Sequence, residues 1–246
     1  MAAPLFCYDN ILRTATVLSE DTITNFGFSN ALDGGTSTQV GMAIGSNRDI
    51  VVDLGSTKAF DYFCVAGHNL NGTTITIAGS SDNVSYSDID SVVFSNNYVS
   101  VNNISSGNVR YVRFRFSGMA GSIYIADIFL GTALSLPYGL PHGFVPPEQG
   151  DQDIIETNMT GGGALVGISV TRKPKKTSIN LQEYSSSWFE TYWFDLIETM
   201  KVYPIYFLWK EGKRALFCTL ERTPAQPAFT SNILQSTKLD LQGFVE

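Results

Sequence analysis

Few side chains in this sequence have the type and spacing that catalysis requires. Its two histidines, His68 and His142, are far apart, and His142 lies in a stretch rich in proline and glycine. Asp49 and Asp53 share one face of a predicted strand, but this spacing gives no division into an acid and a base. Motifs of the GxSxG, P-loop and HExxH types are absent from the sequence. We therefore predict that the protein is not an enzyme.

The three cysteines are an odd number and lie far apart, without CxxC spacing. Cys7, Cys64 and Cys218 each stand among apolar neighbours, in LFCY, YFCVA and LFCTL. Such positions are typical of buried reduced thiols rather than of zinc ligands or a disulfide framework. We expect a protein made in a reducing cytoplasm that needs no disulfide.

Charge and hydropathy exclude two classes of partner. The net charge of −7 disfavours nucleic-acid binding, which needs a basic surface. The first residues lack the basic and apolar regions of a signal peptide, and no run of about 18 apolar residues is present. We expect neither a membrane partner nor a specific nucleic-acid partner.

Composition indicates a polar, β-rich globular fold. Only 16% of the 246 residues are charged, 12% are aromatic, and Ser, Thr and Asn are abundant. Helical bundles depend instead on Glu, Lys, Leu and Ala, and disordered chains are poor in aromatic residues. The fold class predicted from these features is mainly β.

A stretch rich in proline and glycine divides the chain. Four prolines between residues 136 and 152 remove backbone donors and disfavour regular elements: Pro137, Pro141, Pro146 and Pro147. We predict a first domain at residues 1–135, a linker at 136–152 and a second domain at 153–246.

The first domain reads as short strands separated by turns. Alternating or continuous apolar runs predict strands at 48–54, 60–66, 73–78, 110–116 and 122–130. The run 60–66 is apolar on both faces, as expected for a strand that is covered on both sides. Strands at this spacing indicate an antiparallel β-sandwich or jelly roll.

Five segments, in this order, resemble motifs of the discoidin, or coagulation-factor type C, family. They are NALDGGTST at 30–38, DIVVDLG at 49–55, IAGSSDNVSY at 77–86, VRYVR at 109–113 and IADIFLG at 125–131. The sequence departs from the family where Tyr86 replaces a common Trp, where Asp127 replaces the usual Glu, and where no Trp follows the DG turn. The resemblance implies a galactose-binding-like β-sandwich.

The same resemblance implies two candidate ligand sites. A structural calcium ion would lie between Asp33 and Asp127, with backbone carbonyls as its remaining ligands. In the alternative, Asp33 forms a turn and Asp127 is a carboxylate at a strand edge. A glycan site would lie on the loops at one end of the sandwich, with Phe26, His68 and Asn69 as candidates. Alternatively, Phe26 packs in the core and His68 satisfies backbone groups at a turn.

The second domain combines strands with one helix. Strands are predicted at 164–171 and 177–181, paired around the basic turn 172–176, and at 203–209, 214–220 and 238–245. A helix is predicted at 187–200, where Ser187 and Glu190 form a capping box. Its apolar stripe comprises Phe189, Trp193, Leu196 or Ile197, and Met200. The order indicates an α+β antiparallel sheet or barrel with one helix.

This second arrangement resembles the tail-tube-like barrel of bacteriophage tail-tip proteins. The helix is also apolar on its other side, at Trp188, Tyr192 and Phe194, which predicts an assembly interface. The leading hypothesis from the sequence is a structural virion protein, a distal tail or baseplate ring component of a tailed bacteriophage.

In that hypothesis the ring domain is homo-oligomeric and the sandwich domain points outward. Its partners would be copies of itself, the tail tube, hub and fibres, and a host surface glycan. It would be located in the virion tail, assembled in the host cytoplasm, with calcium as the one possible cofactor. The alternative is a carbohydrate-binding adhesin or binding module, and a third hypothesis is a bacterial cytosolic scaffold without a ligand.

Overall fold

The computed structural model describes residues 4–147, 154–162, 164–171, 174–210 and 215–245. The strands of the first half are β1 Leu5–Cys7, β2 Thr16–Glu20, β3 Val40–Met42, β4 Asn47–His68, β5 Thr74–Ser80, β6 Ser87–Val93, β7 Ser100–Ser117, β8 Ile123–Gly131 and β9 Leu134–Ser135. The strands of the second half are β10 Ile154–Met159, β11 Leu165–Thr171, β12 Lys175–Ser185, β13 Ile205–Leu208, β14 Leu216–Leu220, β15 Ala228–Phe229 and β16 Leu234–Phe244.

Helical structure is sparse in the described residues. Short 3-10 turns lie at Ile11–Thr14 and Phe28–Ala31. One longer helix, called α1 here, joins an α-helical turn at Ser186–Trp188, a π-helical segment at Phe189–Trp193 and an α-helical segment at Phe194–Val202. The mainly β fold class with one helix is confirmed.

The sandwich is built from an antiparallel sheet in the order β3-β8-β4-β7-β5-β6, with β2 on β4. Strand β4 merges the two strands predicted at 48–54 and 60–66. Its first part pairs with β2 and β7, and after register shifts near Gly55 its second part pairs with β7 and β8. Gly55 has a φ of +78°, which a glycine adopts without steric cost. One long strand thereby contributes to both walls of the core.

Inward-facing side chains of these strands form the first core. Val52, Phe63, Phe114 and Ile125 are all fully buried. The rings of Phe63 and Phe114 are stacked with centroids 5.8 Å apart. Burying such side chains contributes about 1.5–3 kcal/mol each, so this cluster is the main support of the sandwich and of its loops.

The second sheet runs in the order β12-β16-β14-β13-β1-β9, with β15 on β16. The predicted hairpin of the strands 203–209 and 214–220 is confirmed, because Ile205 pairs with Cys218 in β13 and β14. The predicted pairing of 164–171 with 177–181 is wrong. β11 pairs with β10 in a separate hairpin, and β12 pairs with the distant β16.

Helix α1 covers one face of the second sheet. The predicted stripe is buried against it: Phe189, Trp193, Leu196, Ile197 and Met200 all belong to the second core. The helix begins one residue earlier than predicted. Its N-cap is Ser185, whose hydroxyl oxygen accepts from the backbone N–H of Trp188 at 3.3 Å. The capping box predicted at Ser187 and Glu190 is therefore not the cap.

The two halves of the chain are joined through their sheets. β1 and β9 lie within the predicted first domain, yet β1 pairs with β13 and with β9 in the second sheet. Alternate residues of β13 face opposite ways: Phe207 faces the helix, whereas Tyr206 and Leu208 face the sandwich. There they contact Cys64 and other side chains of the sandwich, in a third apolar cluster that we call the seam.

The described part of the predicted linker is packed rather than free. Leu136 is fully buried, and its backbone N–H donates to the carbonyl of Pro4 at 2.8 Å. Phe144 packs edge-on against Phe207, with ring centroids 6.2 Å apart. Residues 148–152 lie outside the described residues, as do Arg172 and Lys173 of the predicted basic turn.

The prediction of three buried reduced thiols is confirmed, since Cys7, Cys64 and Cys218 are all free and buried. No helix among the described residues is long and apolar enough to cross a membrane.

Candidate functional site

An open depression of about 560 Å³ lies at the loop end of the sandwich. It is bounded by the residue before β3, the end of β4, the loop before β7 and the start of β8. Its lining side chains are Gln39, His68, Asn69, Asn97, Tyr98 and Tyr124. Loops held by a rigid sandwich are a common location for binding sites.

His68 was predicted as a sugar ligand, and the structure gives both of its ring nitrogens a backbone partner. Nδ1 accepts from the N–H of Leu70 at 3.2 Å, and Nε2 lies 2.9 Å from the carbonyl oxygen of Tyr98. This pattern requires the neutral ring with its proton on Nε2. Burial lowers the pKa of His68 to about 4, against an opposing contribution from the Tyr98 carbonyl. His68 thus fixes two loops of the depression and has no ring nitrogen left for a ligand.

Asn69 is likewise occupied by the backbone. Its amide nitrogen donates to the carbonyl of Ser122 at 3.0 Å, and its amide oxygen accepts from the N–H of Tyr124 at 2.6 Å. The side chain therefore ties the loop after β4 to the start of β8. Asn69 lines the depression, but its role in the structure is to hold Tyr124 in place.

Two tyrosine rings supply the aromatic surface of the depression. Tyr124 packs edge-on against Phe26, with ring centroids 5.6 Å apart. Gly41 makes this possible, because a Cβ there would lie 2.9 Å from the Tyr124 ring and 3.0 Å from Phe26. Phe26 thus supports Tyr124 from outside, and Tyr98 provides the second ring.

Gln39 and Asn97 supply the amide groups beside these rings. The amide oxygen of Asn97 accepts from the N–H of Asn71 at 2.9 Å. Within the described residues, neither the Asn97 amide nitrogen nor the Gln39 amide has a hydrogen-bond partner. These two side chains can donate to, and in the case of Gln39 also accept from, the hydroxyl groups of a ligand.

Two of the predicted glycan ligands, His68 and Asn69, line the depression, and the third, Phe26, only packs against one of its rings. The sequence prediction did not include the other lining side chains, Gln39, Asn97, Tyr98 and Tyr124. One signal was available: Tyr98 is an aromatic residue in the polar turn SNNYV, where no core is expected.

The carboxylates of the predicted calcium site have different partners. The oxygens of Asp33 accept from the N–H of Gly35 at 2.7 Å and from the hydroxyl of Thr38 at 2.6 Å, as in the turn-former alternative. Asp127 is 1% exposed and accepts from the hydroxyl of Tyr206 at 2.7 Å. No group of three or more His, Cys, Asp or Glu side chains suited to a metal occurs in the described part of the chain. The calcium site stays a prediction.

Burial raises the pKa of Asp127 to about 6, against opposing contributions from the Tyr206 hydroxyl and from Arg13. The second carboxylate oxygen of Asp127 and the Nε of Arg13 are buried without a hydrogen-bond partner among the described residues. The guanidinium of Arg13 lies 3.8 Å from the ring centroid of Tyr203. These groups form a polar cluster beside the seam.

The predicted assembly residues separate into two groups. Trp188 is 9% exposed and packs edge-on against Tyr184 and Phe189, so its ring belongs to the core rather than to a surface. Tyr192 is 39% exposed and Phe194 is 61% exposed. Only these two of the three are available to another molecule.

The carboxylates Asp49 and Asp53 are engaged in ion pairs. Each forms a bidentate pair with an arginine of β7, Asp49 with Arg115 and Asp53 with Arg110. The Arg110 guanidinium holds the pKa of Asp53 below its usual value. Exposed pairs of this kind contribute little to stability because solvent screens them, and the arrangement supports a structural role.

Comparison with known proteins agrees with the architecture of the first half. The sequence model of the F5/8 type C domain family matches residues 14–129. This match supports a discoidin-like domain in the N-terminal part of the chain. It ends before the second half, so the resemblance of that half to tail-tip proteins stays a prediction. A comparison with curated protein sequences gave no match.

Several solved structures are similar over about half of the chain. The C-terminal domain of a chitobiase from Bacteroides fragilis is 15% identical, covers 52% of this chain and 99% of its own, and has a TM-score of 0.43. CpGH89CBM32-5 from Clostridium perfringens, in complex with GalNAc-β-1,3-galactose, is 18% identical over 50% of this chain and 99% of its own, with a TM-score of 0.42. Chitosan-binding module 1 of a Paenibacillus chitosanase/glucanase is 19% identical over 50% and 98%, with a TM-score of 0.41.

Proposed function

We propose that this protein is a carbohydrate-binding module whose discoidin-like domain holds a saccharide in the loop-end depression. The proposal rests on one observation, the combination of aromatic and amide groups in a single depression. Two tyrosine rings, Tyr98 and Tyr124, line it together with the side-chain amides of Gln39 and Asn97. An aromatic face packs against the apolar face of a pyranose ring, and amides bind its hydroxyl groups. The family match at residues 14–129 supports the same domain class.

The hydrogen bonds of His68 and Asn69 support binding by preorganisation. They connect the loops that carry Tyr98 and Tyr124 to each other and to the sandwich before any ligand arrives. A site that is already ordered loses less conformational entropy on binding. In this proposal His68 and Asn69 are positioning residues, and Phe26 supports Tyr124 by packing edge-on against its ring.

The test is saccharide binding by the full chain and by two variants, Tyr98→Ala and Tyr124→Ala. A glycan array would select a ligand, and calorimetry would then give its affinity. We expect each variant to bind at least roughly 10-fold more weakly, a loss of about 1.4 kcal/mol. Tyr86→Ala is the matched control, because Tyr86 packs over Arg113 away from the depression and should leave the affinity unchanged.

Two outcomes would contradict this proposal. One is the absence of binding to any arrayed or millimolar soluble saccharide. The other is a saccharide affinity that both Tyr98→Ala and Tyr124→Ala leave unchanged while the melting temperature of each variant stays near that of the parent protein.

The assembly role predicted from the sequence is the second candidate, as a structural component of a bacteriophage tail tip. It is supported by exposed apolar side chains on helix α1, since Phe194 is 61% exposed and Val202 is 68% exposed. Two large apolar side chains exposed on one helix make it a candidate interaction surface. The two roles are compatible, because the helix and the loop-end depression belong to different halves of the chain.

A further inference from the structure

A second groove, of about 550 Å³, lies in the C-terminal half, between the segment after β9 and strand β12. The side chains that bear on its chemistry are Tyr138, His142, Asn180, Gln182 and Glu183. None of them belongs to residues 14–129, so the groove is independent of the loop-end depression. It also differs from the apolar surface of helix α1, because most of these side chains are polar.

Tyr138 presents an exposed ring in a fixed position. Its side chain is 65% exposed, yet the ring packs edge-on against Tyr184 with centroids 5.0 Å apart. Tyr184 is itself 2% exposed and packs against Trp188 in the second core. The backbone N–H of Tyr138 faces the Tyr184 hydroxyl oxygen, where it opposes the rise in the pKa of Tyr184 that burial causes. The core therefore holds this aromatic surface in place while leaving it open to solvent.

A β-bulge directs two adjacent polar side chains toward the same groove. The pairing of β12 with β16 shifts between Leu181 and Tyr184, and the intervening Gln182 and Glu183 are both exposed. Glu183 has a φ of +60°, a region that non-glycine residues rarely adopt, and its N–H donates to the hydroxyl of Ser236 at 2.9 Å. Bulges commonly re-aim side chains beside binding sites, and such strain is concentrated at functional positions.

We propose that this groove is a second saccharide-binding site, with Tyr138 as the platform and Glu183 as the main hydrogen-bond acceptor. A pyranose with vicinal hydroxyl groups fits this chemistry. Its apolar face would lie on the Tyr138 ring, and the two oxygens of the Glu183 carboxylate would accept from two neighbouring hydroxyls. The Asn180 and Gln182 amides and the His142 ring would bind the remaining hydroxyls. An apolar peptide or a second copy of the chain fits this polar lining less well.

The test measures the number of saccharide sites per chain in the full-length protein. Galactose, N-acetylglucosamine, glucose and their short oligomers serve as probes in calorimetry, and chemical-shift mapping reports the place of binding. We expect two saccharide sites in the parent protein and only the loop-end site in Tyr138→Ala. Tyr98→Ala is the matched variant, in which only the groove site should remain. In the Tyr98→Ala background, Glu183→Gln should weaken the remaining site at least roughly 10-fold.

Glu183→Gly separates loss of the carboxylate from loss of the fold, because glycine adopts a φ of +60° without strain. We expect it to abolish the second site with an unchanged or raised melting temperature.

If Tyr98→Ala abolishes all binding, the second site is refuted while the proposed function stands. If Tyr138→Ala alone abolishes all binding, the loop-end site is refuted instead. If no probe binds at millimolar concentration, both the loop-end site and the groove site are refuted. If Tyr138→Ala changes the oligomeric state but not saccharide binding, the groove is refuted as a saccharide site.

Discussion

At the scale of single residues, two buried titratable groups have opposite effects on stability. Asp127 is buried beside Tyr206, and burial raises its pKa to about 6 from an ordinary value of 3.8. His68 is buried among backbone groups, and burial lowers its pKa to about 4 from an ordinary value of 6.5. Both groups change protonation between pH 4 and pH 6.5, and the signs of their contributions differ.

For Asp127 the folded protein binds the proton more tightly than the unfolded chain. Its contribution to the free energy of unfolding is complete below pH 4 and is lost as the pH rises through about 6. For His68 the unfolded chain binds the proton more tightly, so its contribution is complete above pH 6.5 and is lost as the pH falls through about 4. Each contribution is about 3 kcal/mol, so the two largely cancel.

We expect Asp127→Asn to reveal the His68 contribution. Between pH 4 and pH 6.5 the free energy of unfolding of this variant should rise by about 3 kcal/mol more than that of the parent protein. Urea denaturation at several pH values measures both curves. Tyr206→Phe is the companion variant, because it removes the hydrogen bond that lowers the pKa of Asp127 and should move that group's titration to higher pH. Parallel curves for Asp127→Asn and the parent protein would contradict this assignment.

At the scale of elements, the start of helix α1 shows how local motifs compete. Ser185, Ser186 and Ser187 are three consecutive candidate caps, and the sequence favoured Ser187 because Glu190 follows it at capping-box spacing. The structure places the cap at Ser185 instead. With the cap at Ser185, Trp188 lies at the third helical position and its N–H is the group that the Ser185 hydroxyl accepts from. Its ring packs edge-on against Tyr184.

The cap assignment predicts different effects for two serine substitutions. Ser185→Ala should lower the free energy of unfolding by about 1 kcal/mol, because the N–H of Trp188 loses its side-chain acceptor. Ser187→Ala should change it by less than about 0.5 kcal/mol, because it removes a hydroxyl that lies 3.1 Å from that of Ser185 but leaves the Trp188 N–H its acceptor. Urea denaturation at neutral pH measures both values. A larger loss of unfolding free energy in Ser187→Ala than in Ser185→Ala would contradict this assignment and indicate a capping box at Ser187.

At the scale of the whole molecule, the second sheet lies between helix α1 and the sandwich. Tyr206, Leu208 and Phe217 face Cys64, Val99 and Phe129 across the seam. Backbone bonding crosses it as well, because the N–H of Val99 donates to the carbonyl of Val245 at 3.1 Å. The orientation of the two halves is therefore fixed by a shared apolar cluster, and helix α1 lies on the far side of the second sheet.

This arrangement leaves helix α1 as the surface on which the assembly hypothesis depends. If the chain forms a ring, light scattering of the purified full-length protein should show one discrete oligomer. Phe194→Ser should dissociate it to the monomer, because it removes an exposed apolar side chain without opening the core. Val84→Ser is the matched control, since Val84 is 82% exposed and lies in the sandwich. A parent protein that is monomeric at all accessible concentrations would contradict a ring.

The sequence by itself determined the elements and the inward faces of this protein. Apolar periodicity located the longer strands and the apolar stripe of α1, because these patterns follow from local backbone geometry. The apolar neighbours of the three cysteines indicated that they are buried. The discoidin-like motifs identified the class of the first half. The run at 60–66 was correctly interpreted as covered on both sides, since Phe63 faces the sandwich core and Cys64 faces the seam.

Only the tertiary structure decided how distant segments pair. β1 enters the second sheet because its residues complete the face that covers the seam, and β12 pairs with β16 rather than with its neighbour in sequence. The same limit applies to the candidate site. The family resemblance made His68 a candidate ligand, with backbone hydrogen bonding at a turn as the alternative, and in the structure both of its ring nitrogens bind the backbone of adjacent loops. The aromatic platform of Tyr98 and Tyr124 exists only because long-range packing brings those loops together.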